Sequence, residues 1–335
     1  MPQEIIPLNQ PDPVAEKKVT DLLNQMTLAE KVGQLVLGNA FANIDWEEVL
    51  LQKKLAEANG LPYEIPLQLN PVIEQQIRAG MVGSINSADL RLNNHLQHLA
   101  VEESRLHIPI LVSQDVIHGF RTVFPIPLAE SCTWNPALLE RAAHVAAVEA
   151  STAGINWIFA PMVDIARDPR WGRIAEGAGE DPCLGMAMAR ARVNGFQDGA
   201  LPVEYRIAAC PKHYAGYGAA EGGRDYNTVD ISERTLRDVY LPPFKAAFEA
   251  GAGSTMSSFN EISGVPGTGN TFLLRTVLHE EWGMNGPVVS DYNAIGELVQ
   301  HGVARDLSEA ARLSILAGVD IDLDSGAYTK YLAHL

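Results

Sequence analysis

Hydrophobic and polar positions along this chain follow two periods that take turns. From Ala79 onward, short runs of apolar and β-branched residues are separated by longer stretches in which apolar side chains recur at helical spacing. The runs predict strands at "MVGSIN", "PILVSQD", "NWIFAPMVD", "IAACPKH", "GSTMSSFN", "PVVSD" and "VDIDLD", with "QLVLGN" upstream as a candidate eighth. Between them, "RLNNHLQHLAVEESRL", "NPALLERAAHVAAVEASTA", "LGMAMARARVNGFQ", "SERTLRDVYLPPFKAAFEA", "TFLLRTVLHEEW" and "SEAARLSILA" each predict a helix of about three turns. This alternation marks parallel βα units. Seven or eight of them in about 250 residues suit an α/β fold of the (β/α)8 TIM-type barrel class, with the last helix cut short. A doubly wound open sheet is the second choice.

Ahead of the repeat, "VAEKKVTDLLNQM" has the pattern of an amphipathic helix, and Thr27 with Glu30 has the spacing of a capping box that opens a second one. The stretch from Phe41 to Pro71 carries Asn, Gly and Pro punctuation and reads as an excursion outside the core. The whole, 1–335, is therefore expected to be one barrel domain, with 1–78 as helical lead-in and excursion and 79–328 as the main repeat.

Composition removes several classes of function. With 335 residues and 47% hydrophobic content the chain can bury a large core. Its 25 Lys and Arg against 41 Asp and Glu leave a net charge of −16, which repels nucleic acid and anionic membranes. No run of about eighteen apolar residues is present. "MPQEIIPLNQPDP" lacks the basic start and apolar run of a secretory signal, so the sequence reads as cytoplasmic, or as periplasmic or secreted if a signal was removed. Cys132, Cys183 and Cys210 form no CxxC pair and are expected to be small buried residues. There is no HExxH among the nine histidines. "DIDLDSG" imitates half of a calcium loop but has Tyr331 where Glu is needed, and "GYGAAEGG" lacks the spacing of a phosphate loop. No metal or cofactor is expected.

The ends of the predicted strands carry the chemistry. Asp115, Asp164, Lys212 with His213, Asn260 and Asp291 each close an apolar run. In a barrel all of these ends lie on the C-terminal face, where such folds place their active sites. Asp291, which ends "GPVVSD", has two readings at this point. It is a nucleophile held ionised by Arg173, Lys212 and His213, with Asp115 close by, or it caps the helix that begins near Ala294.

Four motifs resemble signatures of glycoside hydrolase family 3, in its β-glucosidase branch: "QDVIHGFRTVFPIPLAES", "DPRWGRIAEGAGEDP", "KHYAGYGAAEGGRDYN" and "VVSDYNAIGEL". The likeness runs from "MTLAEKVGQL" to "GVDIDLDSGAY" and covers nearly the whole chain. It implies a retaining mechanism in which Asp291 attacks the anomeric carbon of a β-glucoside or oligosaccharide and forms a covalent glycosyl-enzyme. Asp115 matches the family carboxylate that accepts hydrogen bonds from sugar hydroxyls, and Arg121, Arg173, Lys212 and His213 match its partners. Met256 and Tyr292 match apolar contacts of the sugar pocket. Each has a structural rival: an ion pair within its own loop for Arg173, an ion pair for Arg121, core packing for Met256. Two positions depart from the pattern, since Tyr292 stands where many relatives have Trp, and Phe259 where many have a Tyr whose hydroxyl touches the nucleophile.

The resemblance also implies a second carboxyl group about 5 Å from the nucleophile to protonate the leaving oxygen. In the family's β-glucosidases it is a Glu from a following α/β-sandwich domain, whereas this sequence stops at "AYTKYLAHL". Glu176, Glu180, Glu221 and Glu261 lie in loops at the right end but match no family acid, the first two belonging with the arginine loop. Single-barrel members, the β-N-acetylglucosaminidases, use a His on the loop after the Lys-His strand. Here Tyr217 and Asn227 occupy the corresponding positions. The expectation is therefore a retaining exo-acting β-glucosidase barrel whose acid comes from a sandwich domain, in the same gene or a separate chain. The alternatives are an inactive or sugar-binding lone barrel, or another specificity of the family such as β-xylosidase or β-N-acetylglucosaminidase. Loss of a covering domain is expected to expose an apolar patch that favours a homo-oligomer, and to leave a fraying C-terminal tail.

Overall fold

The computed structural model describes residues 13–40, 46–63, 69–197 and 201–335. Among these the predicted strands form β1 (Val36–Asn39), β2 (Ser84–Asn86), β3 (Leu111–Gln114), β4 (Trp157–Ile158), β5 (Ala208–Ala209), β6 (Thr255–Met256), β7 (Val288–Val289) and β8 (Asp322–Leu323). Six pair in parallel in the order β8-β1-β2-β3-β4-β5, and β6 pairs in parallel with β7. Backbone hydrogen bonds continue across the two remaining seams. Tyr214 N–H reaches Met256 O at 2.7 Å and Ser258 N–H reaches Tyr214 O at 2.9 Å, joining β5 to β6; Ser290 N–H reaches Ile321 O at 2.8 Å, joining β7 to β8. Each strand thus has its sequence neighbours on either side, and β8 returns to β1. "QLVLGN" supplies β1, so the ring begins well before residue 79.

Inside the ring, Leu37, Trp157, Phe159, Cys210, Met256, Val289, Ile321 and Leu323 pack as one buried cluster, filling a barrel this narrow with side chains. Trp157 satisfies its indole N–H there on Ser254 Oγ at 2.8 Å. Outside it, a larger cluster joins the strands to the helices. Helices Pro136–Ser151 and Pro182–Gln197 pack closely at Gly195, where an added Cβ would lie 2.3 Å from the Glu140 carbonyl.

The capping box forms as read: Glu30 N–H donates to Thr27 Oγ1 at 3.3 Å and Thr27 N–H to Glu30 Oε2 at 2.8 Å. Thr27→Ala should therefore cost about 1 kcal/mol in urea unfolding; an unchanged midpoint would remove the box from the determinants of stability.

Some expectations are corrected. The excursion, read as lying outside the core, also contains a helix that the pattern did not predict, Trp46–Ala58, whose described residues are mostly exposed; the flanking 41–45 and 64–68 lie outside the described residues. Only Cys210 of the three cysteines is buried. Cys132 caps the short helix Pro127–Ser131 and Cys183 sits in the first turn of Pro182–Gln197, both facing solvent at helix ends rather than in a strand. Near the C-terminus Tyr328, in the helix Ala327–Tyr331, is fully buried, its hydroxyl donating to Val319 O at 2.6 Å and its N–H to Asp322. On the outside, an apolar groove of about 550 Å³ runs between Phe124–Ala129 and Leu138–Val145.

Candidate active site

β7 delivers Ser290 and Asp291 to the C-terminal mouth of the barrel. Ser290 turns inward, its Oγ accepting the Leu323 N–H at 2.9 Å, and so ties the end of β7 to β8. Asp291 could have capped the next helix, but it does not. The N-cap of Ala294–Gln300 is Asn293, in a left-handed conformation with φ of 55° and no side-chain cap bond. Asp291 is instead only 9% exposed. Its Oδ1 accepts the Tyr292 N–H at 2.6 Å, and its Oδ2 lies 3.3 Å from His213 Nε2.

His213 is enclosed, and a second carboxylate holds its far side. Asp164, from the end of β4, accepts the His213 backbone N–H at 2.9 Å with the same Oδ2 that lies 2.9 Å from ring Nδ1. Asp164, His213 and Asp291 therefore form a line across the mouth from β4 through β5 to β7. Burial pushes the Asp164 carboxyl up to about 7, against the pull of the His213 N–H and Arg173. Burial raises Asp291 to about 6, opposed by Lys212, the Tyr292 N–H and Arg173 and reinforced by Asp115. Burial, with Arg173 and Lys212 nearby, holds His213 well below its ordinary value, so its ring is neutral at pH 7.

Lys212 spans the mouth in the other direction. It is 5% exposed, and its ammonium is paired with Asp115 Oδ1 at the end of β3, a carboxylate half open to solvent. Arg173, on the turn Gly172–Glu176, grips Glu176 through Nε at 2.7 Å and Nη2 at 3.0 Å and lies 5.5 Å over the ring of Tyr217. Burial works against its charge, but Glu176 more than offsets this and raises its pKa above the ordinary value. Arg173 thus has the loop ion pair anticipated as its structural role, yet it faces the Asp291 side of the mouth as well.

The wall beside these groups is aromatic. Tyr217 packs edge-on to Trp171 and His213, each with centroids 5.2 Å apart, and Tyr226 lies 4.5 Å from Phe259. Trp171 Nε1 donates to Asp225 at 2.8 Å, tying the loop after β4 to the loop after β5. The two loops touch at Gly218, where a Cβ would sit 2.2 Å from the Ile165 carbonyl, so glycine is required there.

Asp115, Arg173, Lys212, His213 and Asp291 lie together at the mouth; the side chains of Arg121, Met256 and Tyr292 lie elsewhere. The Arg121 side chain is exposed, because Glu149 Oε2 accepts the N–H groups of both Arg121 and Thr122 at 2.8 Å and draws this turn onto the helix outside the ring. Met256 is 1% exposed and belongs to the packed barrel interior. Tyr292 is 59% exposed on the rim, against Asp324. Sequence reasoning noted Asp164 at a strand end without giving it a role, and missed the wall of Trp171, Tyr217 and Tyr226. It also missed Glu297, half-buried, which burial and then the Asp291 charge push up to about 7. Glu180 and Glu221 are exposed, and Glu261 is turned onto the Gly264 N–H of its own hairpin. Among the described residues no group of three or more His, Cys, Asp or Glu side chains is placed to hold a metal ion.

Residues 27–335 match the family model for the glycosyl hydrolase family 3 N terminal domain. The chain belongs to that family. Over 95% of its length it is 40% identical to a periplasmic β-glucosidase of Salmonella typhimurium, of which it covers 38%. A putative β-xylosidase of Formosa agariphila is 36% identical over 93% of the chain, which covers 42% of that protein. Among solved structures, a β-glucosidase from Listeria innocua in complex with glucose superposes with a TM-score of 0.81 and 38% identity, covering 95% of this chain and 43% of the other. This family 3 chain thus spans about two-fifths of the length of its relatives. Among its described residues no helix is long and apolar enough to cross a membrane.

Proposed function

We propose that this barrel is the nucleophile-bearing part of a retaining, exo-acting β-glucosidase. Asp291 attacks the anomeric carbon of a terminal β-glucosyl residue as the glycosidic C–O bond breaks, and water later hydrolyses the covalent glycosyl-enzyme. The orientation of Asp291 carries this reading. Its carboxylate leaves the helix it could have capped and turns into a buried polar line beside Lys212 and Arg173, two cations that favour its ionised form.

Asp115, Arg173, Lys212 and His213 provide charged and polar partners for sugar hydroxyls, which must exchange water for equally good hydrogen bonds. Tyr292 supplies an aromatic rim. Met256 serves as packed floor and Arg121 as part of a tethered turn, each at one remove from the sugar. The proton for the departing oxygen comes from a carboxylic acid on a C-terminal α/β-sandwich domain, in keeping with the greater length of the relatives. A β-xyloside is the second substrate reading, because the Formosa relative is named for that sugar.

Intact mass spectrometry after incubation with 2,4-dinitrophenyl 2-deoxy-2-fluoro-β-glucoside tests the proposal, since this leaving group needs no acid and the fluorine slows release. One fluoroglucosyl group on the parent and none on Asp291→Asn is the expected result. Preferential labelling by the corresponding xyloside would move the substrate to the second reading. A folded chain that takes neither label is a binding module, and the nucleophile reading fails.

A further inference from the structure

We propose that Tyr226 is a specificity-determining residue of this mouth: its ring forms one side of the exit taken by the aglycone, the departing part of the glycoside, and selects aglycones that offer a flat ring face. The inference deepens the β-glucosidase reading and rests on it for the direction of the sugar. Its test reads binding alone and needs no reaction.

The direction comes from the ring of strands. Asp115 closes β3 and Asp291 closes β7, and in the circular order of the eight strands these two stand opposite one another. A terminal glucosyl residue whose hydroxyls meet Asp115 and Lys212, and whose anomeric carbon lies at Asp291, therefore points its aglycone away from β3 and over the β7 side. Two tyrosine rings border that side. Tyr292, 59% exposed, stands against Asp324 at the end of β8. Tyr226, 48% exposed, lies toward β6, its ring centroid 4.5 Å from that of Phe259.

The neighbours of Tyr226 hold it in this place. Phe259 belongs to a buried cluster with Trp171, Tyr217 and Ala294, and the Ala294 N–H donates to the Asp291 carbonyl at 3.0 Å. Tyr226 thus stands one ring away from the segment that carries Asp291. Tyr217 meets its ring edge-on, with centroids 6.1 Å apart. The loop is tied on both flanks of Tyr226. Before it, Asp225 accepts the Trp171 Nε1–H at 2.8 Å; after it, Thr228 O accepts the Glu221 N–H and Glu261 O the Val229 N–H, each at 3.0 Å. Between these ties Tyr226 has a φ of 61°, in the left-handed region that bulky side chains rarely occupy. A conformation of this kind persists only where its surroundings over-determine it, and such residues cluster at ligand clamps. Burial raises the pKa of the Tyr226 hydroxyl and the Asp291 charge raises it further, in keeping with a side chain turned to the mouth.

Phe259 fixes one part of the Tyr226 ring and leaves the rest open, which makes an incomplete stack. The open part fits the face of an aryl group or the C–H face of a second sugar. A methyl aglycone is too small to cover it. Tyr226 therefore acts on what is attached to the glucosyl residue and leaves the binding of that residue itself to Asp115 and Lys212.

Thioglycosides separate these effects, because their sulfur linkage stays intact and only binding is measured. Isothermal titration of the 335-residue chain with methyl thio-β-glucoside, phenyl thio-β-glucoside and sulfur-linked cellobiose should be compared for the parent, Tyr226→Ala and Tyr226→Phe. The phenyl compound should bind about tenfold more weakly to Tyr226→Ala and unchanged to Tyr226→Phe, while the methyl compound binds all three proteins alike. An equal loss for sulfur-linked cellobiose extends the aglycone class to sugars, and a loss confined to the phenyl compound restricts it to aryl groups. If Tyr226→Ala does not fold, Tyr226→Asn takes its place, since Asn tolerates the left-handed backbone. A tyrosine that merely covers Phe259 would lower the melting temperature and weaken the methyl and phenyl compounds together, which overturns the proposal. Unchanged phenyl binding in a folded variant without the ring overturns it, as does a parent that binds none of the three compounds. A parent that takes no sugar label but shows the phenyl-specific loss counts against Asp291 as nucleophile and leaves the role of Tyr226 standing.

Discussion

Asp291→Asn will stop formation of the glycosyl-enzyme and make the folded chain more stable at pH 8. Removing the attacking atom should slow labelling at least about 10⁴-fold, as losses of a nucleophile do elsewhere. The stability gain follows from where the carboxylate lies. Burial lifts its pKa from 3.8 to about 6, so the folded state holds the proton more tightly than the unfolded chain does. The stability this confers is complete below about pH 4 and is lost as pH rises through about 6. At pH 8 the carboxylate therefore weighs against folding, by up to about 3 kcal/mol for a shift of roughly two units. Asn keeps the shape and the Tyr292 bond without the charge. Urea unfolding of parent and variant at pH 4, 6 and 8 should give a difference near zero at pH 4 that grows in the variant's favour. A difference independent of pH would mean that the carboxylate is not penalised where it sits. Labelling of the parent should fall in the same pH window, because a protonated carboxyl cannot attack.

A residue kept at a cost to folding is also what made the site visible in the sequence. Each strand of a small barrel must be apolar where it faces the packed interior, so Asp115, Asp164, Lys212, His213 and Asp291 interrupt a pattern that packing alone would have continued. These interruptions, repeated at the ends of successive runs, revealed both barrel and mouth. What the pattern could not give was direction. Met256 lies at a strand end too, but its side chain points into the ring. Arg121 is as close in sequence to Asp115 as a partner should be, yet Glu149, on the helix Pro136–Ser151, takes the backbone of its turn. The contact between Asp164 and His213 joins residues 49 apart, and nothing local to either announces it. The helix Trp46–Ala58 escaped notice because its exposed face lacks the apolar stripe by which a packed helix is read.

Glu130→Gln should be among the most destabilising single changes outside the mouth, at about 3–5 kcal/mol. Glu130 and Arg192 are each 8% exposed at the side chain and paired with one another. Arg192, on the helix Pro182–Gln197, also donates through Nη1 to the Ile117 carbonyl at 2.8 Å. One guanidinium therefore fastens both ends of the segment that leads from Asp115 through the tethered turn to the helix Pro127–Ser131. Burial already lowers the pKa of Arg192, and the Glu130 charge is what opposes it. With Gln at 130 the cation stays buried beside neutral partners only. Glu130→Leu with Arg192→Met removes both charges while keeping the volume, and should recover most of the lost stability, because two buried ions of this kind are often replaced by apolar side chains at little cost. If the double variant is as unstable as the sum of the single ones, the segment depends on the Arg192 bond to Ile117 rather than on the charge pair. Asp115 then offers a second reading, since a segment freed at Ile117 should weaken its pairing with Lys212 and slow labelling even where the barrel remains folded.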